Sequence, residues 1–146
     1  MSRSPIMDTT AQLVFHSALV LSLYLLFAGH NQPGGGFVGG LVAGAAVAVH
    51  YVAGGIDEVR SLSRLRPWTI LGGGLVLASV ATLAPLLGGG SVLESGYLLD
   101  TDLPVLGQVK VTSTLVFDAG VYAVVVGLML MVFEAVGEEA EPEARP

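Results

Sequence analysis

A polar, glycine-rich stretch separates two long apolar runs, and its residues 29–40 read Gly29-His30-Asn31-Gln32-Pro33-Gly34-Gly35-Gly36-Phe37-Val38-Gly39-Gly40. Pro33 has a fixed φ and no N–H group, so it suits the first turn of a helix, with Asn31 or Gln32 as the capping residue before it. We therefore predict that one helix ends before this stretch and that a second helix begins within it.

Small residues recur at every fourth position of the second run, at Gly36, Gly40, Gly44 and Ala48. Residues spaced by four lie close together on one face of a helix, and small side chains let a neighbouring backbone approach closely. This pattern predicts a face that packs against another helix.

The same glycines permit a second interpretation. Gly34, Gly36 and Gly39 satisfy the G-x-G-x-x-G spacing of a dinucleotide-binding turn, and Asp57 lies near the distance of a ribose-binding acid. That motif requires a strand before it and a βαβ unit around it. The preceding apolar run is too long for a strand and no alternating strand pattern follows, so packing is the favoured interpretation.

The composition is that of an integral membrane protein. Hydrophobic residues make up 53% of the 146 residues and charged residues 12%, and the mean hydropathy is +0.75; in ordinary soluble domains about a quarter of the residues are charged. The chain has only six Lys and Arg residues and no cysteine. Nucleic-acid binding, disulfides, thiolate metal sites and cysteine nucleophiles are therefore excluded.

Four apolar runs are long enough to cross a bilayer, which takes about 20 residues each. The sequence thus predicts an all-α membrane domain over residues 1–136, with spans at about 11–28, 36–53, 68–87 and 112–135. A cleaved signal peptide is an alternative for the first run because Arg3 precedes it, but no small-x-small cleavage pattern closes the run. A domain of this size is too small to enclose a channel alone, so we expect partner subunits.

An even number of spans places both termini and the loop after the second span on one side. That side carries five arginines against Lys110 alone on the other, and positively charged loops favour the cytoplasm. The glycine-rich stretch and the long loop 88–109 are then outside. This loop is predicted to face a partner or to form a partly folded hairpin, and residues 137–146 to be an acidic disordered tail.

Asp118 is the most informative single residue, because a carboxylate in an apolar helix costs on the order of 2.5–3.5 kcal/mol on insertion scales. If the last helix starts near Lys110, then Lys110, Thr114 and Asp118 share one face and are candidates for an ion path. The structural alternative has Lys110 reaching to the interface and Asp118 bonded to Thr114 or Tyr122.

The three histidines, His16, His30 and His50, lie on different segments without metal-ligand spacing. A capping or buried hydrogen-bonding role is expected for each, with His30 the best functional candidate. No nucleophile–base pair, paired carboxylates or metal cluster emerges, so the sequence predicts no catalytic residues, no cofactor and no metal.

Two separated segments carry a resemblance to a known family. The first runs from Gly29 to Phe37, and the second comprises residues 110–113 and 117–122. In these segments and in the four-run layout, the sequence resembles the B subunit of Mrp (Mnh) multisubunit sodium/proton antiporters. The similarity covers nearly the whole chain apart from the acidic tail.

The resemblance implies a multi-pass subunit of a bacterial cell-membrane complex, related to the membrane arm of respiratory complex I, that exports sodium in exchange for protons. The implied partners are the other subunits of that antiporter, with sodium ions and protons as transported species. The family's B subunit has no agreed catalytic role. The positions that match its motifs are His30, Pro33, Phe37, Lys110 and Asp118.

Two roles are open for such a subunit. In the first, it lines part of an ion path, with Lys110 and Asp118 facing a hydrated cavity and His30 as a further candidate. In the second, it is purely an assembly subunit whose glycine faces pack against larger subunits. A third possibility is the equivalent subunit of a membrane-bound hydrogenase related to complex I.

Overall fold

A computed structural model describes residues 5–29, 33–62, 65–87, 97–103 and 107–140. Within them lie α1 (Pro5–Ala28), α2 (Gly36–Gly54), α3 (Ile56–Leu62), α4 (Pro67–Leu87), β1 (Tyr97–Leu103), β2 (Gly107–Thr112) and α5 (Ser113–Ala140). The helices α1, α2, α4 and α5 are long and apolar enough to cross a membrane. The prediction of four helical spans is therefore confirmed.

The spanning helices form a row in the order α1, α2, α5, α4. The most extensive contacts join α4 to α5, α1 to α2 and α2 to α5, with a smaller contact between α1 and α5. Many large apolar side chains on this row are exposed, especially on α1 and α4. Such exposure suits helices that are surrounded by lipid or by other membrane proteins.

Helix α2 begins at Gly36, and Pro33 lies in a bend before it rather than in its first turn. The reason is Gly35, which has φ +99° and donates its N–H to the carbonyl of Leu25 in α1 at 2.9 Å. This backbone conformation is one that glycine adopts readily. The predicted caps, Asn31 and Gln32, lie outside the described residues.

The small residues of α2 face α5. A Cβ atom built on Gly40 would lie 2.7 Å from Cβ of Val125, and one on Gly44 would lie 2.7 Å from Cγ of Met129. Ala48, the fourth member of the predicted face, is only partly buried and lies beside α1. Positions four apart drift by about 40° per step around a helix with 3.6 residues per turn, which carries the last member off the face.

A second glycine seam joins α4 to α5. A Cβ on Gly74 would lie 2.7 Å from the backbone O of Gly120, and one on Gly127 would lie 2.6 Å from the backbone N of Leu71. By contrast, a Cβ on Gly72 or Gly73 would meet nothing within 4 Å. Of the three consecutive glycines Gly72, Gly73 and Gly74 in α4, only Gly74 is therefore used for close packing among the described residues.

The segment after α2 contains α3, where the sequence indicated a loop. Helix α2 ends at Gly54, one residue past the predicted span, and Gly55 after it has φ +75° and donates its N–H to the carbonyl of Tyr51. Helix α3 has two acidic residues in its first turn and Arg60 in its last, an arrangement that stabilises the helix dipole. It closes one end of the row over a core of Val47, Ile56, Val59 and Leu130.

The loop between the last two spans contains an antiparallel hairpin. Strands β1 and β2 pair with Leu99 opposite Val111 and Asp100 opposite Lys110. For residues 88–109 the sequence allowed either a partner-facing loop or a partly folded hairpin. The described part of that segment is a hairpin.

Helix α5 begins close to the predicted start but ends later than predicted. It begins at Ser113, after β2, and it continues to Ala140, past the predicted boundary at 136. A Cβ on Gly137 would lie 2.7 Å from Cβ of Ile56, so the helix packs against α3 here. The predicted disordered tail therefore starts inside a helix, and its residues 141–146 lie outside the described residues.

Candidate functional site

Asp118 lies beside the first turn of α2. Its backbone carbonyl is in contact with Gly36, and a Cβ built on Gly35 would lie 3.5 Å from Oδ2 of its carboxylate. The close approach of α5 to the start of α2 therefore depends on two glycines in succession. They bring a carboxylate in the second turn of α5 to the positive end of another spanning helix.

The electrostatics of this arrangement favour a negative charge. The first N–H groups of a helix have no partner within it, and Gly35 offers no side-chain cap to α2. A carboxylate near such an end gains about 0.3–1 kcal/mol when exposed and up to about 2 kcal/mol when partly buried. Asp118 is partly buried. Tyr122, one of the two partners that the sequence left open for it, has its hydroxyl 2.9 Å from Oγ of Ser22.

The side chain of Tyr122, one turn further along α5, takes part in a buried polar network. Its hydroxyl lies 2.9 Å from Oγ of Ser22, which is fully buried and donates to the carbonyl of Gly39 at 2.8 Å. Because the serine proton is used on Gly39, the tyrosine is the donor of the other bond. One hydrogen-bonded network thus joins α1, α2 and α5, one turn along α5 from Asp118.

Lys110 does not join Asp118 on a helical face. It lies in β2, opposite Asp100, so the predicted ladder of Lys110, Thr114 and Asp118 does not form. The prediction was wrong because the alternating residues Gln108-Val109-Lys110-Val111 favour a strand. His30 lies outside the described residues. Pro33 is exposed, and Phe37 is 58% exposed at the start of α2.

The two described histidines differ in their surroundings. His16 is exposed on α1, with Nδ1 2.7 Å from the carbonyl of Gln12 in its own helix. His50 is buried near the other end of α2 from Asp118, with Nδ1 3.9 Å from Oε1 of Glu58. Within the described ranges, no group of three or more His, Asp or Glu side chains is placed to hold a metal ion.

The sequence did not reveal two of these contacts. These contacts join Ser22 to Tyr122 and His50 to Glu58. In each pair the two residues lie on different elements, so their separation in sequence carries no signal of the contact. The only available signals were a serine in an apolar run and a histidine without a charged neighbour in its own helix. Both are compatible with many partners.

The row of four spanning helices, the glycine seams and the carboxylate at one end define a class of protein. This is a multi-pass helical membrane protein of the kind that forms one part of a larger assembly. Residues 6–131 match a family model described as a domain related to the MnhB subunit of Na+/H+ antiporters. The chain belongs to this MnhB family.

Two relatives are similar to this chain over nearly their whole length. The chain is 37% identical to the B subunit of the Na+/H+ antiporter of Bacillus subtilis over 136 residues, which cover 92% of this chain and 93% of that protein. It is 35% identical to the antiporter's B subunit in Alkalihalophilus pseudofirmus over 141 residues, 94% of this chain and 95% of that one. These bacterial relatives are antiporter subunits, and the chain is a multi-pass bacterial membrane protein.

The fold is also similar to part of a solved assembly, the Mrp complex from Dietzia sp. DQ12-45-1b. The match has a TM-score of 0.75 and 30% identity. It covers 94% of this chain but only 15% of the longer chain in that complex. The domain described here therefore corresponds to a small part of a larger polypeptide there.

Proposed function

We propose that this chain is the B subunit of a multisubunit antiporter that exports sodium in exchange for protons. The match over residues 6–131, together with relatives that are named as antiporter subunits over their whole length, carries this proposal. In this function the chain is a part of a secondary transporter and not an enzyme. Its partners are the other subunits of an Mrp-type complex, and the names of the relatives favour this function over a hydrogenase subunit.

The orientation follows from charge. The described arginines Arg60 and Arg66 lie at the end of the row where α3 is found, and positive residues favour the cytoplasmic side. In this orientation both termini are cytoplasmic, and Asp118, the start of α2 and the hairpin are on the outer side.

Within that complex, Asp118 contributes to an ion path. Its support is a partly buried carboxylate that lies at the positive end of α2, beside Gly35 and Gly36. A carboxylate in this position can attract a cation or a proton. An ionisable group in a spanning helix normally faces protein or water.

The rival role is assembly alone, through glycine faces that contact larger subunits. Gly40 and Gly44 already pack within the chain, so they are not available to a larger subunit. Gly72 and Gly73 are open among the described residues, and they are the better candidates for a contact with a partner.

Asp118→Asn tests the proposal, because it removes the charge and keeps the shape. The variant should be co-expressed with the other subunits, purified through a tag, and measured for sodium-dependent proton exchange in inside-out vesicles. An intact complex with exchange reduced at least about tenfold, the effect of about 1.4 kcal/mol, supports the ion path. Loss of the complex supports assembly, and unchanged exchange in an intact complex refutes both roles for this residue.

The function itself is tested by the wild-type chain. Purification in mild detergent followed by mass spectrometry should recover several antiporter-like subunits in a fixed ratio. A chain that is recovered alone, with no loss of exchange when its gene is deleted, would contradict the proposed function.

A further inference from the structure

The imidazole of His50 is buried where three helices meet. Only 5% of the residue is exposed. The ring of Phe15 on α1 contacts it edge-to-face, with ring centres 4.3 Å apart. On α3, Oε1 of Glu58 lies 3.9 Å from Nδ1. Gly54 leaves room for this glutamate, because a Cβ there would lie 2.7 Å from Cβ of Glu58.

The two ring nitrogens have different surroundings. Nδ1 faces a carboxylate, which favours the tautomer that carries its hydrogen on this nitrogen. In that tautomer Nε2 has a free lone pair, and Nε2 is buried without a hydrogen-bond partner among the described residues. Buried polar atoms in native proteins are nearly always bonded, so an unpaired one requires an explanation. A lone pair beside a nearby acid is suited to accept a proton.

The other charged groups on the surrounding elements are less well placed to act on this ring. On α3, Asp57 and Arg60 are exposed, and on α1, His16 is exposed, with its ring centre 5.7 Å from that of Phe15. Glu134 is partly buried on α5. Glu58 is the partner that the structure places within ion-pair distance, and its side chain is 36% exposed, so it also reaches solvent.

We propose that His50 and Glu58 form a proton-binding site at the end of the row that α3 closes. The Nε2 lone pair accepts a proton from a hydronium ion, which leaves as water; the ring becomes a cation, and the carboxylate of Glu58 balances its charge. This inference deepens the proposed function, on which it rests for its role in exchange. A sodium/proton antiporter must bind protons on both sides of the membrane, and this site lies at the opposite end of α2 from Asp118.

The chain supplies a matched control for the test. His50→Gln and Glu58→Gln each remove one member of the pair, and His50→Gln/Glu58→Gln removes both. His16→Gln removes a histidine that contacts the same phenylalanine but is exposed. All four are made in the full complex, which is purified and reconstituted. Exchange is then measured over a series of pH values, and proton uptake by the purified complex is measured by titration.

If the pair binds a proton, the His50→Gln complex takes up about one proton fewer than wild type over the whole titration. Its exchange also loses one inflection of the pH profile. Glu58→Gln changes the same inflection, and the double variant behaves like His50→Gln, because residues that act as a unit are not additive. His16→Gln leaves the pH profile of exchange unchanged.

The outcomes separate this inference from the proposed function. An intact His50→Gln complex with wild-type proton uptake overturns the inference, as does an unchanged pH profile in both single variants. Additive effects of the two substitutions refute the pairing. A wild-type complex without exchange refutes the proposed function, and the titration still decides whether His50 binds a proton. If His50→Gln does not assemble, Glu58→Gln decides by the pH profile, since it retains the imidazole.

Discussion

Gly36→Ala is the substitution whose effect follows most directly from the structure. The added Cβ would collide with the backbone carbonyl of Asp118, and its neighbours in that contact are also backbone atoms. A carbon and a carbonyl oxygen approach to about 3.3 Å at closest. Helix α5 would therefore have to move away from α2 by on the order of 1 Å, since no rotamer change can relieve a clash with a backbone.

Overpacking of this kind costs about 1–3 kcal/mol, which corresponds to about a 5- to 150-fold loss in the equilibrium that favours the packed state. Gly73→Ala is the matched control. Its Cβ would meet nothing within 4 Å in the middle of a helix, and alanine is favoured over glycine there by about 0.8–1.0 kcal/mol. The same chemical change is thus expected to destabilise at one position and to be neutral or stabilising at the other.

Both variants can be compared as the tagged chain expressed alone, so that contacts with other subunits do not contribute. Fluorescence-detected size-exclusion chromatography after heating gives a Tm in mild detergent. We expect the Tm of Gly36→Ala to fall below wild type and that of Gly73→Ala to equal or exceed it. Equal Tm values for the two variants would show that α2 and α5 do not approach as closely as described.

Two further predictions concern the same end of the row. Ser22→Ala removes the hydrogen bond to Gly39 and the partner of the Tyr122 hydroxyl, so it should destabilise the fold by about 0.6–1.7 kcal/mol, the range of hydrogen bonds between membrane helices. Ser17→Ala is the control and should not lower the Tm, because the hydroxyl of Ser17 bonds to a carbonyl of its own helix. Gly35→Ala should cost about 1–3 kcal/mol because alanine is strained at φ +99°, and a Tm equal to wild type would contradict that backbone conformation.

The spans were predictable because they depend on local composition. A run of apolar residues near the thickness of a bilayer has few alternatives to a spanning helix, and α2 ends at Gly54, one residue beyond the expected span. The face of α2 was predictable for the same reason, since the spacing of Gly36, Gly40 and Gly44 is itself the signal.

The features that could not be predicted depend on contacts between distant residues. The strand position of Lys110 is determined by pairing with β1, and helical spacing alone suggested a ladder with Asp118. The extension of α5 to Ala140 depends on packing of Gly137 against α3, a helix that was itself missed. His50 was expected to be buried and hydrogen-bonded. Its neighbour Glu58 could not be identified from the sequence, because the contact depends on the position of α3 relative to α2.

The positions of the two polar sites limit where an ion path can run. Asp118 and His50 lie near opposite ends of α2, a helix of 19 residues and so about 28 Å long. Between them, Val125 packs against Gly40 and Met129 packs against Gly44 in the seam of α2 and α5. The hydroxyl groups of Ser22 and Tyr122 are hydrogen-bonded to each other, and Ser22 also donates to the carbonyl of Gly39. At these positions the described interior of the seam is occupied by packed side chains and bonded hydroxyl groups. We therefore expect any path that includes Asp118 to run along the outside of the row, where a partner subunit supplies the opposite wall.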